Sequence, residues 1–176
     1  NLDKDTKILI NGYKPQKGNF PRSFALDIAL FSSGDKNSVT LSQDPFVINT
    51  LGEFELNNIV IYSIPDQDPD NKIFKIISEG MTIVHLGNIK KEIGSKVMEQ
   101  IMSPDILFLP VGDEKYLSIK DAVKLVTDLE PRIIIPLSHK CDTDPTAKPI
   151  SVFISEMGLK PEAESNKVII KKKDLP

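Results

Sequence analysis

Five residues in this chain have the type and setting to do chemistry: Asp35 in "SSGDKN", His85 and Asn88 in "TIVHLGN", and Ser138 and His139 in "IIIPLSHK". His85 ends a β-branched apolar run, and Gly87 opens a turn two residues later. A histidine in that place serves either as a metal ligand or as a hydrogen-bonded interior imidazole. His85 and His139 are the only two histidines. A histidine-rich dinuclear zinc centre cannot be built from them, and a single-metal site would need carboxylates to complete its shell.

The plainer readings stand beside the chemical ones. Asp35 is a natural turn residue that caps its own backbone, and Asn88 opens or caps the segment that follows it. Ser33 and Ser138 act as nucleophiles only if His85 or His139 serves as base, and the sequence supplies no strained nucleophile turn. Cys141, next to Lys140 and near His139, is either a low-pKa thiol or an inert surface cysteine. Glu53 and Glu55 in "LGEFE" fall on one face of a strand and read as structural. No stretch carries a glycine-rich phosphate-binding pattern.

Composition bounds the function. The 176 residues, 40% apolar and 27% charged, predict one soluble globular domain spanning 1–176. A net charge of −3 favours neither nucleic acid nor an anionic membrane surface as partner. No apolar run reaches the roughly 18 residues of a membrane span, and "NLDKDTK" does not read as a signal peptide. The single cysteine excludes an internal disulfide framework, so a reducing, cytoplasmic setting is expected.

The elements that must hold these residues are legible from periodicity and punctuation. "TKILI" at 6–10, "FALDIALFS" at 24–32, "PFVIN", "NNIVIYSI", "KIFKIIS" and "MTIVHLG" read as short strands of an antiparallel meander. After residue 90, "KKEIGSKVMEQIM" has Ile93, Val97 and Ile101 at helical spacing and Pro104 beyond its end. "DILFLPVG" and "RIIIPLS" are buried strands. Between them Ser118 caps a helix, with Asp121 at N3. "ISVFISEMG" is a short helix closed by Gly158. "KVIIKKK" reads as a final edge strand guarded by lysines. The strand–helix alternation predicts a helix-covered sheet, with the meander giving a second sheet.

The order of "DPFVINTLGEFELNNIVIYSIP", "GMTIVHLGN", "DILFLPVGD" and "AVKLVTDLEPRIIIPLSHK" resembles the metallo-β-lactamase fold. It is most similar to the compact branch of metal-dependent hydrolases that contains the ascorbate-phosphate lactonases. The resemblance implies a four-layer αββα sandwich, an α/β (α+β) fold, with a metal site on loops at one edge of the sheets. It also implies a first N-terminal strand carrying Gly-His-Ser-Cys-Phe. Here "KILINGY" stands for the second strand of that pair; the first is absent from this sequence, by truncation or because the fold does without it, and an open sheet edge is expected there.

Carried over position by position, the implied site is depleted. The family's His-x-His-x-Asp-His falls on Phe31, Ser33, Asp35 and Lys36, where only Asp35 matches. His85 fills the histidine of His-Leu-Gly-Asp, and the bridging aspartate is Asn88. The last histidine falls on Ser138, with His139 one residue beyond it. The ligand candidates that survive are therefore His85 and Asp35, fewer than the roughly three protein ligands of a catalytic zinc site. The expectation is a degenerate member of the fold, a pseudoenzyme with a binding or oligomerisation role, no metal or other cofactor, and a homo-oligomer as the implied assembly. The alternative is a metal-dependent hydrolase of a lactone or phosphoester, with Zn or Mn held by a reduced site that recruits His85, Asp35, His139 and Asp113. A serine- or thiol-dependent enzyme in the same cleft is a third class.

Overall fold

The computed structural model describes residues 5–14, 23–113, 115–161, 165 and 167–176. Its centre is a six-stranded sheet of β6 (Gly52–Leu56), β7 (Ile59–Pro65), β8 (Lys72–Ser78), β9 (Met81–His85), β10 (Ile106–Pro110) and β11 (Ile133–Leu137). The spatial order is β11-β10-β9-β8-β7-β6. β6 to β9 pair antiparallel through short turns, as the sequence predicts, but they extend the helix-covered sheet instead of forming the separate second sheet expected of the meander. β9, β10 and β11 pair parallel, which requires crossovers. Helices α1 (Ser95–Ile101) and α2 (Ile119–Leu129) make them, and α3 (Ile150–Met157) follows β11.

Strand alternation divides most of the apolar residues between two cores, and Leu26, Ala29 and Phe31 form a third, small cluster. Ile73, Val84, Leu107 and Leu109 face Ile101 of α1, Leu125, Val126 and Leu129 of α2, and Phe153 of α3. On the opposite face Ile59, Ile61, Phe74 and Ile76 pack against Ile28, Leu30 and Ile48. These last belong to a small sheet of β1 (Ile8–Ile10), β3 (Ile28–Leu30) and β5 (Phe46–Ile48), in the order β1-β3-β5. The described residues thus carry three of the four expected layers: helices, large sheet, small sheet. The three α-helices all pack on the large sheet.

Ser118 caps α2 as predicted. Its hydroxyl accepts from the Asp121 amide at 3.1 Å and donates to the Asp121 carboxylate at 2.7 Å. Gly158 closes α3 in the left-handed region, at φ 65°, where a side chain would be strained.

Four further expectations need correction. The small sheet is parallel, β1 with β3 and β3 with β5, not part of an antiparallel meander. Residues 24–32 do not form one strand. The Asp27 carboxylate accepts the Lys7 amide and Lys7 O accepts the Asp27 and Ile28 amides. This breaks the run into β2 (Phe24–Ala25), paired with β4 (Leu41–Ser42), and β3. Helix α1 starts only at Ser95, because Gly94 is extended at ψ 151°. "KVIIKKK" is not a strand: Val168 and Ile169 are exposed and a 3-10 turn covers Lys172–Asp174. Its anchor is ionic, since the Lys172 ammonium sits 3.0 Å from the buried Asp105 carboxylate, which also accepts the Thr82 amide at 2.8 Å.

Leu107 is wholly buried between the large sheet and its helices. Leu107→Ala is expected to cost about 3 kcal/mol of unfolding free energy, from lost transfer energy plus the cavity left behind. A urea titration of both proteins checks this.

Candidate functional site

The site residues gather where β9 runs out against the loops that follow β1 and β3. Asn71, just before β8, organises the junction from a buried position. Its Nδ2 donates to Asp66 Oδ2 at 2.9 Å and to Leu86 O at 3.1 Å, and its Oδ1 accepts the Asn88 amide at 2.8 Å. Gly87 threads beneath it at φ 64°. A β-carbon there would overlap Asn71 Oδ1 and lie 2.7 Å from Lys72 O. Only glycine fits both the conformation and the space.

That turn sets the state of His85. Alternation places His85 on the same face as Ile83, toward the small sheet. The imidazole is buried and stacks on Phe108 with ring centres 5.7 Å apart. Its Nδ1 accepts the Gly87 amide at 3.0 Å, so the ring proton belongs on Nε2. Burial lowers its pKa from 6.5 to about 4, because the charged ring would be poorly solvated.

The other predicted residues separate into two groups. Asn88 Nδ2 donates to Ser33 Oγ at 3.0 Å, linking two loops that are far apart in sequence. The Ser33 amide donates to the Tyr13 hydroxyl at 3.1 Å, and that hydroxyl donates to Gly34 O at 3.0 Å. Lys72 Nζ lies 3.4 Å from Ser32 O. Asp35 turns outward and accepts from Asn49 Nδ2 at 3.1 Å. Ser138 and His139 follow β11. Ser138 is exposed at φ 56°, and His139 Nδ1 lies 3.3 Å from Lys140 O. Among the described residues no three His, Cys, Asp or Glu side chains come together in a group able to hold a metal ion. The set His85, Asp35, His139 and Asp113 is therefore not assembled.

The donor chemistry does not fit a metal either. A histidine that ligates through Nε2 donates a proton from Nδ1 to a second partner. Here Nδ1 faces an N–H donor, so Nε2 keeps the proton and neither nitrogen offers a free lone pair. Lys36 carries a cation where the resemblance implies a histidine, and Asn88 spends its amide nitrogen on Ser33. Nor do the described residues of the cleft assemble a nucleophile. The partner of Ser33 Oγ is an amide donor, not a base. The Cys141 thiol is held below its usual pKa, first by the Thr143 hydroxyl and then by backbone amides, on an exposed loop.

Sequence reasoning missed Asn71, Tyr13 and Lys72. Asn71 sits in "DPDN", which signals only a turn, and nothing local marks it as buried. Tyr13 lies in a Gly/Pro-punctuated stretch whose pairing with Ser38 is long-range. Tyr13, Lys14, Ser33, Gly34, Lys36 and Asn37 line an open cleft of 480 Å³.

The comparisons with known proteins agree with this geometry at the level of fold. The family described as "Beta-lactamase superfamily domain" matches residues 2–138, and the chain belongs to it. A "UPF0173 metal-dependent hydrolase" of Staphylothermus marinus is 32% identical over 69 residues, covering 39% of this chain and 30% of that protein. The protein of the same name from Methanosarcina mazei is 32% identical over 66 residues, covering 38% and 29%. The match thus spans about three tenths of the length of these relatives. Among solved structures, a metallo-β-lactamase superfamily protein from Thermotoga maritima superposes with a TM-score of 0.72 at 23% identity, covering 85% of this chain and 75% of its own. Igni18, a metallo hydrolase from Ignicoccus hospitalis, gives 0.57 at 14% identity, covering 76% and 72%.

Two expectations follow from the Gly87–His85 pair. Gly87→Ala should lose more than about 2 kcal/mol, since left-handed strain and overlap add. Gly80→Ala, also left-handed but opening on empty space, should lose only about 1 kcal/mol; chemical denaturation of the two variants compares them. The second concerns pH. Above 6.5 the ring is neutral in both folded and unfolded chains. Below 6.5 the unfolded chain takes up a proton that the folded one refuses until about pH 4, so stability falls as pH falls. The loss due to this ring between pH 6.5 and 4 should be about 3 kcal/mol, read as the difference in pH slope between wild type and His85→Gln.

Proposed function

We propose that this member of the β-lactamase superfamily is a non-catalytic form of the fold, with its former metal cleft turned over to binding or oligomerisation. The observation that carries the reading is the Gly87 N–H donated to His85 Nδ1. It withdraws from ligation the histidine that aligns best with the family pattern. Lys36 and Asn88 at neighbouring ligand positions support it. Without a divalent ion nothing lowers the pKa of an attacking water toward neutrality, and the cleft holds no activated serine or thiol to replace it. On this reading no metal or other cofactor is needed.

A second reading is favoured by the relatives, which are named metal-dependent hydrolases. In it the chain would use Zn or Mn at a site built around His85 and Asp35, acting on a lactone or phosphoester. The residues present argue against it, since the His85 ring would have to change tautomer and turn away from the Gly87 amide.

Metal analysis separates the two. After dialysis against Zn²⁺ and Mn²⁺ with a trace of chelator, the protein is expected to retain less than about a tenth of an equivalent, because a stable site takes about three protein ligands. Retention near one equivalent, lost in His85→Ala, would establish the hydrolase reading instead.

A further inference from the structure

We infer that the cleft between the β1 and β3 loops is an anion site, taking the phosphate or carboxylate group of a small molecule. The inference rests on the non-catalytic reading above and names the ligand class of the same cleft. The cleft forms because segments 11–14 and 37–39 run side by side: Lys14 N donates to Asn37 O at 2.8 Å and Val39 N to Gly12 O at 2.8 Å. Lys14 and Lys36 therefore line one opening together with Asn37 and Ser33. At 480 Å³ the space suits a small-molecule ligand.

The lining is rich in donors and poor in acceptors. The Lys14 and Lys36 ammonium groups are exposed and meet no carboxylate among the described residues. Ser33 Oγ already accepts from Asn88 Nδ2, which leaves its hydroxyl hydrogen free to donate. Three nearby carbonyls already accept hydrogen bonds: Gly34 O from the Tyr13 hydroxyl, Asn37 O from the Lys14 amide, and Ser32 O from Lys72. Asp35 is the acid nearest in sequence, and its Oδ2 is engaged by Asn49. A ligand that meets two ammonium groups and a donating hydroxyl must supply acceptors only. Phosphate and carboxylate do so, and each oxygen–ammonium contact is charge-assisted.

The test titrates inorganic phosphate, then acetate, into uniformly ¹⁵N-labelled chelator-treated protein at constant ionic strength, following the Ser33, Gly34 and Asn37 amides. Saturable shifts with a dissociation constant of about millimolar or below are expected with one of the two anions. Lys36→Gln should weaken binding about tenfold, the worth of one charge-assisted contact. Lys96→Gln, on the exposed face of α1, should leave it unchanged, and thermal unfolding checks that both variants fold. Shifts that do not saturate, or that ignore Lys36→Gln, overturn the anion site while leaving the non-catalytic reading intact. Saturation that appears only after Zn²⁺ or Mn²⁺ is added, and vanishes with chelator, overturns both.

Discussion

The buried amide of Asn71 is the constraint on which the site depends. Its three hydrogen bonds tie the turn before β8 to the chain leaving β9. Each such group left unpaired inside the protein would cost about 1–3 kcal/mol, so the chain has little freedom to take another path. The path it takes has no room for a β-carbon at Gly87. The left-handed turn there aims the Gly87 amide at His85 Nδ1, and the next residue carries its side chain to Ser33. One side chain thereby fixes a tautomer, a loop register and a contact between distant loops.

Loops at the edge of a sandwich need a tie of some kind. In a metal centre the ion supplies it, and metal binding is then part of the folding free energy. Here protein groups supply it through a relay in which Asn71 holds Asn88, Asn88 holds Ser33, Ser33 meets Tyr13, and Tyr13 returns to Gly34. The relay is not complete. The hydroxyls of Ser32 and Ser63 are buried with no hydrogen-bond partner among the described residues. They mark places where polar groups persist in a packed interior without a network to satisfy them, at a local cost in stability.

Some of this was legible in the sequence. β7 to β11 stood out because apolar runs of five to seven residues bounded by turns have few other solutions. The cap at Ser118 and the glycine after α3 follow from local chemistry and hold in the structure. The small sheet did not read correctly, since strands of three residues look alike whether paired parallel or antiparallel. The break after Ala25 depends on an aspartate reaching Lys7 across the fold. The C-terminal tail has strand composition but an ionic anchor at Asp105. His85 was identifiable as the pivotal residue; its tautomer was not, because the proton is placed by a backbone amide two residues away whose direction only the folded turn defines.

The two larger apolar cores show how little of the fold's energy rests on the loops at its rim. Neither the cluster under the helices nor the one between the sheets includes Ser33, Asp35, Lys36, Asn88, Ser138 or His139. The energy that specifies the sandwich lies in residues such as Leu107, Phe74 and Ile28, all wholly buried, while Ser33, Asp35, Lys36 and Asn88 lie on turns at the rim. Substituting a rim residue therefore leaves the hydrophobic term untouched and changes only the local field and hydrogen bonding. Two positions are both rim and interior, Phe31 in a small apolar cluster and His85. A charged or metal-bound imidazole there would need compensation inside the protein, and burial against Phe108 with an N–H donor at Nδ1 provides the opposite. A neutral, inward-bonded ring is therefore the lower-energy state, and the same packing that stabilises it works against ligation through this histidine.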